Sequence, residues 1–240
     1  MTLGDPLFFL IGSLYLLPAL VIAIPLHELG HAMAARWAGD ASAWNLVWHR
    51  FQPRYFFNVY GVLAVFLANV GWGNPLPVNQ NRLQGRGRVV LWVLGGPLAN
   101  LLLAVILGLA MRVLLTMGFL PDYSDLALPP LAYLANLLYA LYFLNLSIFA
   151  FQLLPIPGLD GWRILEALFG SYNPRFFYQA ASHVQTIWMV CILIVLAGSW
   201  VGLDVLGTAV GIFFHPASTA IVGQCGGYTA LHPCLLRRGF

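Results

Sequence analysis

Residues 24–34 read Ile-Pro-Leu-His27-Glu28-Leu-Gly-His31-Ala-Met-Ala. This is His-Glu-x-x-His. On a helix, residues four apart lie about 40° apart in azimuth and about 6 Å along the axis, so both imidazoles face one point. Such a pair suits two ligands of a tetrahedral zinc, with Glu28 on the adjoining flank to hold and deprotonate a metal-bound water. The competing reading is two interfacial histidines beside a chance glutamate. The chain has six His, and its only Glu residues are Glu28 and Glu166. A chance match to the pattern is therefore on the order of one in a thousand from composition. An ionisable cluster on a spanning helix also costs a few kcal/mol per group if unpaired, which favours a functional reading.

A catalytic zinc takes three protein ligands and keeps a fourth position for water. His49, His183 and His215 have no partner spacing, and Glu166 falls beyond the membrane. Asp160, in Phe151-Gln-Leu-Leu-Pro155-Ile-Pro157-Gly-Leu-Asp160-Gly161, ends an apolar helix running in the same direction as the first. Alone, an Asp before Gly is a common turn residue. Beside a His-Glu-x-x-His that needs a carboxylate, it is the economical third ligand. The expected cofactor is one Zn2+ per chain, held by His27, His31 and Asp160, with Glu28 catalytic.

These residues must be positioned by membrane helices. Of 240 residues, 60% are apolar and 8% charged, and the mean hydropathy is +0.82. A soluble domain is roughly a quarter charged and could not hide so much apolar surface. Composition excludes a soluble globular enzyme, a disordered chain and a nucleic-acid binder. It indicates an all-α polytopic membrane protein in a lipid bilayer. Cys191, Cys225 and Cys234 form no disulfide framework.

Helix 1 is expected at about 6–38, bent at Pro18 or Pro25. Its apolar run is too long, and Met1–Asp5 too poor in basic residues, for a signal peptide. Val59–Trp72 is too short for a confident span and reads as re-entrant or interfacial. Helix 2 is expected over Val89–Leu120, followed by a loop with Asp122, Asp125, Pro129 and Pro130. Helix 3 is expected at about 131–154, helix 4 at about 177–197, and a weaker fifth segment at 203–214, whose crossing is left open. The expected domain is a single membrane-embedded unit over 1–215, with its core at about 6–170 and a tail over 216–240. Ten of the eleven arginines fall on one side of this five-helix arrangement. By the positive-inside rule the N-terminus is expected outside and the site near the cytoplasmic face, and the expected location is the cell membrane.

Four motifs together make the chain resemble the site-2 proteases, intramembrane zinc metalloproteases of peptidase family M50. His27-Glu28-x-x-His31 matches the family's zinc motif, and Leu159-Asp160-Gly161 its third-ligand motif. Gly71-Trp-Gly-Asn74-Pro75-Leu-Pro77-Val-Asn79 resembles its Pro-x-Pro-x-Asn segment, and Gly95-Gly-Pro97-Leu-Ala-Asn100 its Gly-Pro-x-x-Asn. The resemblance covers about 6–170. It implies a three-helix core, zinc, and cleavage of transmembrane helices of other membrane proteins. The length allows the short form without PDZ or CBS domains. The family's Asn eight residues before the ligand Asp, thought to orient substrate or stabilise the oxyanion, is Gln152 here. Gly158 stands where the family often has Pro, and Trp162 where it often has Gly.

Read bottom-up, Pro75 and Pro77 make 74–79 extended backbone. Asn74, Pro75, Pro77 and Asn79 then belong either to an edge that receives an unwound substrate or to a plain interfacial loop. Gly95 and Gly96 permit close helix packing, and Asn100 either serves the site or bonds a neighbouring helix. The run Arg82, Arg86 and Arg88 is a topology anchor. Two other functions remain compatible: a non-proteolytic membrane scaffold on a degenerate protease fold, supported by Gln152, and a zinc transporter, which would need polar groups continuing to the outer leaflet.

Overall fold

The computed structural model describes residues 6–49, 56–119 and 130–223. Every regular element among them is helical: α1 (Pro6–Ala38), α2 (Ser42–His49), α3 (Val59–Ala68), α4 (Arg86–Thr116), α5 (Pro130–Gln152), α6 (Asp160–Phe169), α7 (Pro174–Ser182), α8 (Val184–Trp200) and α9 (Val205–Val222). Four of these, α1, α4, α5 and α9, are long and apolar enough to cross a membrane. The pair α7 and α8 makes a fifth candidate, bent by 71°. The protein is an all-α polytopic membrane protein.

The first helix has the expected bounds, with Pro18 and Pro25 inside it. The other elements shift for local reasons. α5 takes in Pro130, since proline at a first helical position gives up only an N–H that has no intrahelical partner. It stops at Gln152, ahead of Pro155 and Pro157. The expected fourth helix is two. Asn173 caps α7 by accepting from Phe176 N, and the chain turns at His183 before α8 begins. α9 runs on to Val222, into the stretch expected to be tail, because Asp204 caps it through Gly207 N and apolar residues continue past Pro216. Leu120, Asp122, Asp125 and Pro129, together with residues 224–240 of the expected tail, lie outside the described residues.

α3 has ten residues, about 15 Å of helix, half of what a bilayer core requires. Asn58 caps its start and Asn69 closes it in the left-handed conformation. An antiparallel bridge joins Phe57 to Gly73, so the chain leaves and returns at one place. Val59, Tyr60, Leu63 and Leu67 are exposed on its outer side. The segment is a short apolar helix whose two ends return to one place, too short to cross a bilayer by itself.

The core is a three-helix arrangement of α1, α4 and α5, with α9 packed on α4 and α5. α1 meets α5 through Ala19, Leu20, Ala23 and Ile24 against Leu144 and Ile148. α1 meets α4 at Gly30 and Gly95, where a Cβ on either glycine would overlap the other's carbonyl oxygen. Backbones can approach this closely only with small residues at the crossing. The long apolar side chains left exposed, such as Leu14, Val21, Leu102, Ile106 and Ile192, lie on outward faces where a membrane protein meets lipid.

Candidate metal centre and active site

The α1–α4 crossing places the last turns of α1 against the first half of α4. His27 and His31 are buried there, ring centroids 4.6 Å apart and edge to face. His27 Nδ1–H donates to Asn100 Oδ1 at 2.7 Å. Asn100 is oriented in turn: its Nδ2 donates to Ala23 O at 3.0 Å and to Asn145 Oδ1 at 2.8 Å. His31 Nδ1 lies 3.1 Å from Trp92 O and 3.3 Å from Gly96 N. The carbonyl can only accept, and Gly96 N–H is one helical turn on from that same carbonyl. We therefore place the proton on His31 Nδ1. Both imidazoles then present Nε2 as a lone pair, the tautomer a metal ligand needs.

Asp160 arrives through a loop with little freedom. Gly158 has φ +102, a left-handed conformation, and a Cβ at Gly161 would overlap the carbonyls of Leu153 and Leu154. The chain therefore folds back on the end of α5, and the glycine after Asp160 is sterically required. Asp160 is the first residue of α6, where a carboxylate favours the helix dipole.

Asp160 Oδ2 is 3.1 Å from His27 Nε2 and 3.1 Å from His31 Nε2, and the two nitrogens are 3.1 Å apart. Ligands of a tetrahedral zinc, with bonds near 2.0–2.1 Å, stand about 3.3 Å from one another. Three lone pairs directed at one another across a buried triangle repel unless a cation lies among them. The donor set, its spacing and its tautomers therefore fit a zinc ion. Among the described residues it is the one group of three His, Cys, Asp or Glu side chains close enough to hold a metal.

Glu28 is buried beside this triangle. Its Oε2 accepts from Leu76 N at 3.4 Å. A Cβ at Gly73 would crowd Oε1 and the carbonyl of Phe56, so only glycine lets the extended segment lie against Glu28. A cavity of about 370 Å³ opens on His27, Glu28, His31 and Asp160, walled by Trp72, Leu76, Leu159 and Trp188. Trp188 Nε1 donates to Pro157 O at 2.9 Å and its ring stands 5.9 Å from that of Trp72.

The remaining expected residues divide. Gln152 and Pro75 line the cavity. Asn100 does not offer its amide to a substrate, because every polar atom of it is engaged by His27, Ala23 and Asn145. Asn74 is engaged with Phe57 O and Asn58 Nδ2, which ties the two ends of the α3 segment together, and it is not a cavity residue. Pro77 is outside the cavity lining. Asn79 is exposed and accepts from Asn81 N, capping a short 3-10 turn over Gln80–Arg82.

Two residues escape sequence reasoning. Asp40 is completely buried at the end of α1 and accepts from Ser42 Oγ at 2.7 Å, Asn79 N at 2.7 Å and Arg82 Nη1 at 3.2 Å. It fastens the far end of the extended segment. Arg163, one turn after Asp160, lines the cavity. In a chain with so few carboxylates and arginines, each one close to a motif is itself a signal.

Fold and site together define a polytopic helical membrane protein with a zinc-type His-His-Asp centre. The profile of peptidase family M50 matches residues 15–196. The chain belongs to this family, the site-2 proteases, and is a metalloprotease by that membership. It is 32% identical over 193 residues to the candidate zinc metalloprotease YwhC of Bacillus subtilis, covering 78% of this chain and 83% of that one. It is 30% identical over 185 residues to the candidate zinc metalloprotease Rip2 of Mycobacterium tuberculosis, covering 75% and 67%. No solved structure matches the chain.

Proposed function

We propose that this protein is a zinc-dependent intramembrane endopeptidase that hydrolyses peptide bonds within transmembrane segments of other membrane proteins. The observation that carries the reading is the triangle of His27 Nε2, His31 Nε2 and Asp160 Oδ2 with Glu28 beside it, at the end of a bundle of membrane-length helices. Zinc bound there supplies Lewis acidity and lowers the pKa of water to near neutrality.

The chain's own residues do the rest. Leu76 N–H holds Glu28 Oε2, which leaves Oε1 to take the proton of the attacking water and pass it to the leaving amine. Asn100 and Trp92 O keep the two imidazoles in the ligating tautomer. Trp72, Leu159 and Trp188 exclude bulk water from one side of the cavity. A substrate helix hides its carbonyls in its own hydrogen bonds, so it must unwind locally before Glu28 can act, and helix-weakening residues favour this.

Several arginines gather at the site's end of the bundle. Arg82 bonds Asp40, and Arg86 bonds Leu168 O and Ser171 Oγ. We take this end as cytoplasmic, with the N-terminus outside, by the positive-inside rule. A cysteine placed at the exposed Gln84 should then label from the cytoplasm.

The test is purified, lipid-reconstituted protein with a transmembrane peptide. The wild type should carry one zinc per chain and cleave. Glu28→Gln should keep the zinc and lose cleavage, and His27→Ala should lose both. Metal-free wild type that still cleaves would sink the mechanism.

A further inference from the structure

We propose that Arg163 is a substrate-binding residue of this cavity, whose guanidinium takes a backbone carbonyl of the unwound peptide beside Asp160. The inference rests on the endopeptidase reading and adds a recognition group to it. Arg163 follows Asp160 by three residues on α6, so the two share a face. Its Nη1 is 3.8 Å from Asp160 Oδ1, too long for a hydrogen bond, and its Cζ lies 6.0 Å from the centre of the Trp92 ring. Two loose contacts hold the group in place and leave its N–H groups without an acceptor among the described residues. Arginines that tie this structure together behave otherwise: Arg82 donates to Asp40, and Arg86 to Leu168 O and Ser171.

The cavity lacks other donors of this kind. Trp188 Nε1 is engaged by Pro157 O, and Asn58 Nδ2 donates to Asn74 Oδ1. Trp92 Nε1 is enclosed, out of reach of a ligand. Gln152, Trp72 and Arg163 are the lining side chains with donors to give, and of these Arg163 alone carries a charge and several N–H groups and is about one-third exposed. A transmembrane segment brings few charges of its own. Once unwound, it brings carbonyls that have lost their helical partners, each costly to leave unmet in an apolar setting. A planar guanidinium with several N–H groups suits such carbonyls.

The experiment uses the full chain in lipid nanodiscs, zinc-loaded, in a Glu28→Gln background that cannot turn over. The probe is a fluorescent apolar peptide of about 25 residues with a central Asn-Gly pair to weaken its helix. Adding Arg163→Met should weaken peptide binding roughly tenfold to a hundredfold. Arg163→Lys should recover part of it, and zinc retention against a chelator should be unchanged in both. Arg163→Gln makes the same comparison if the Met variant does not accumulate. Equal peptide binding with and without Arg163 overturns the proposal and leaves the endopeptidase reading standing. Zinc loss in step with peptide loss also overturns it, because Arg163 would then support Asp160 alone. A Glu28→Gln parent that binds no peptide removes the endopeptidase reading, and this proposal falls with it.

Discussion

Gly96 of α4 lies flat against the imidazole of His31: a single methyl group at position 96 would overlap Nε2, Cδ2 and Cε1 of the ring. The atom it would strike first is the ligating nitrogen. The glycine is therefore a condition of the metal centre, distinct from its neighbour Gly95, which meets the backbone of Gly30.

Gly96→Ala should consequently cost metal before it costs folding. Alanine favours the helix by about 0.8–1.0 kcal/mol over glycine, so α4 itself gains. Zinc affinity measured by chelator competition should fall at least about tenfold, as it does when a ligand's support is displaced. Gly95→Ala should instead lower thermal stability, since its methyl would collide with the Gly30 carbonyl.

Asn100 holds His27 through its carbonyl and is itself held by two donated hydrogen bonds. Asn100→Ala should reduce zinc affinity roughly 10- to 100-fold, the usual cost of removing a partner behind a ligating histidine. Peptide affinity of zinc-saturated protein should stay the same. A change in peptide binding at full zinc occupancy would return Asn100 to the substrate's side of the site.

Gln152 is buried, lines the cavity and makes no side-chain hydrogen bond to a described residue. If its amide serves the oxyanion, Gln152→Ala should lower turnover roughly a hundredfold or more with zinc content unchanged. Gln152→Asn should retain much of the activity, because the amide survives on a shorter arm. A residue that merely bonds a neighbouring helix would cost about 0.6 kcal/mol of stability and leave turnover per zinc-loaded molecule intact.

Asp40 lies outside the membrane-length helical span and predicts a pH dependence. Burial alone would raise its carboxyl. Hydrogen bonds from Ser42 and Asn79, together with the Arg82 charge, outweigh burial and lower it. A carboxylate whose pKa is depressed by folding stabilises the fold above its unfolded value, about 3.9, and loses that contribution as pH falls through the folded value. Asp40→Asn should therefore be less stable than wild type at neutral pH, with the gap closing only below about pH 4. Thermal unfolding of both proteins from pH 7 downward measures this. A gap that already closes near pH 6 would show that Asp40 is not the group responsible.

The chemistry of the centre was legible in the residues because its first half is local. Two histidines four apart and the Glu28 between them form a site on any helix, and scarcity of His and Glu makes the pattern specific. Asp160, 133 residues from His27, was reachable by chemical need, since a zinc-type pair requires a third ligand and few others could share its end of the bundle. The spanning helices were legible for an equally simple reason: a bilayer demands long apolar runs. What orients the centre was not legible. Trp92 O, Leu76 N and Gly96 act through backbone or through absence of a side chain, and nothing in a residue's identity says which carbonyl or gap will face it. Asn100 and Asn74 looked alike as polar residues in motifs. Only the α1–α4 crossing put one behind His27, and only the closure of the α3 segment put the other against Phe57. The bend at His183 and the full length of α9 were likewise settled by packing and capping. Periodicity and composition are properties of a chain read along its length. Contacts between elements depend on how closely helices can approach, and here two glycines at one crossing decided that.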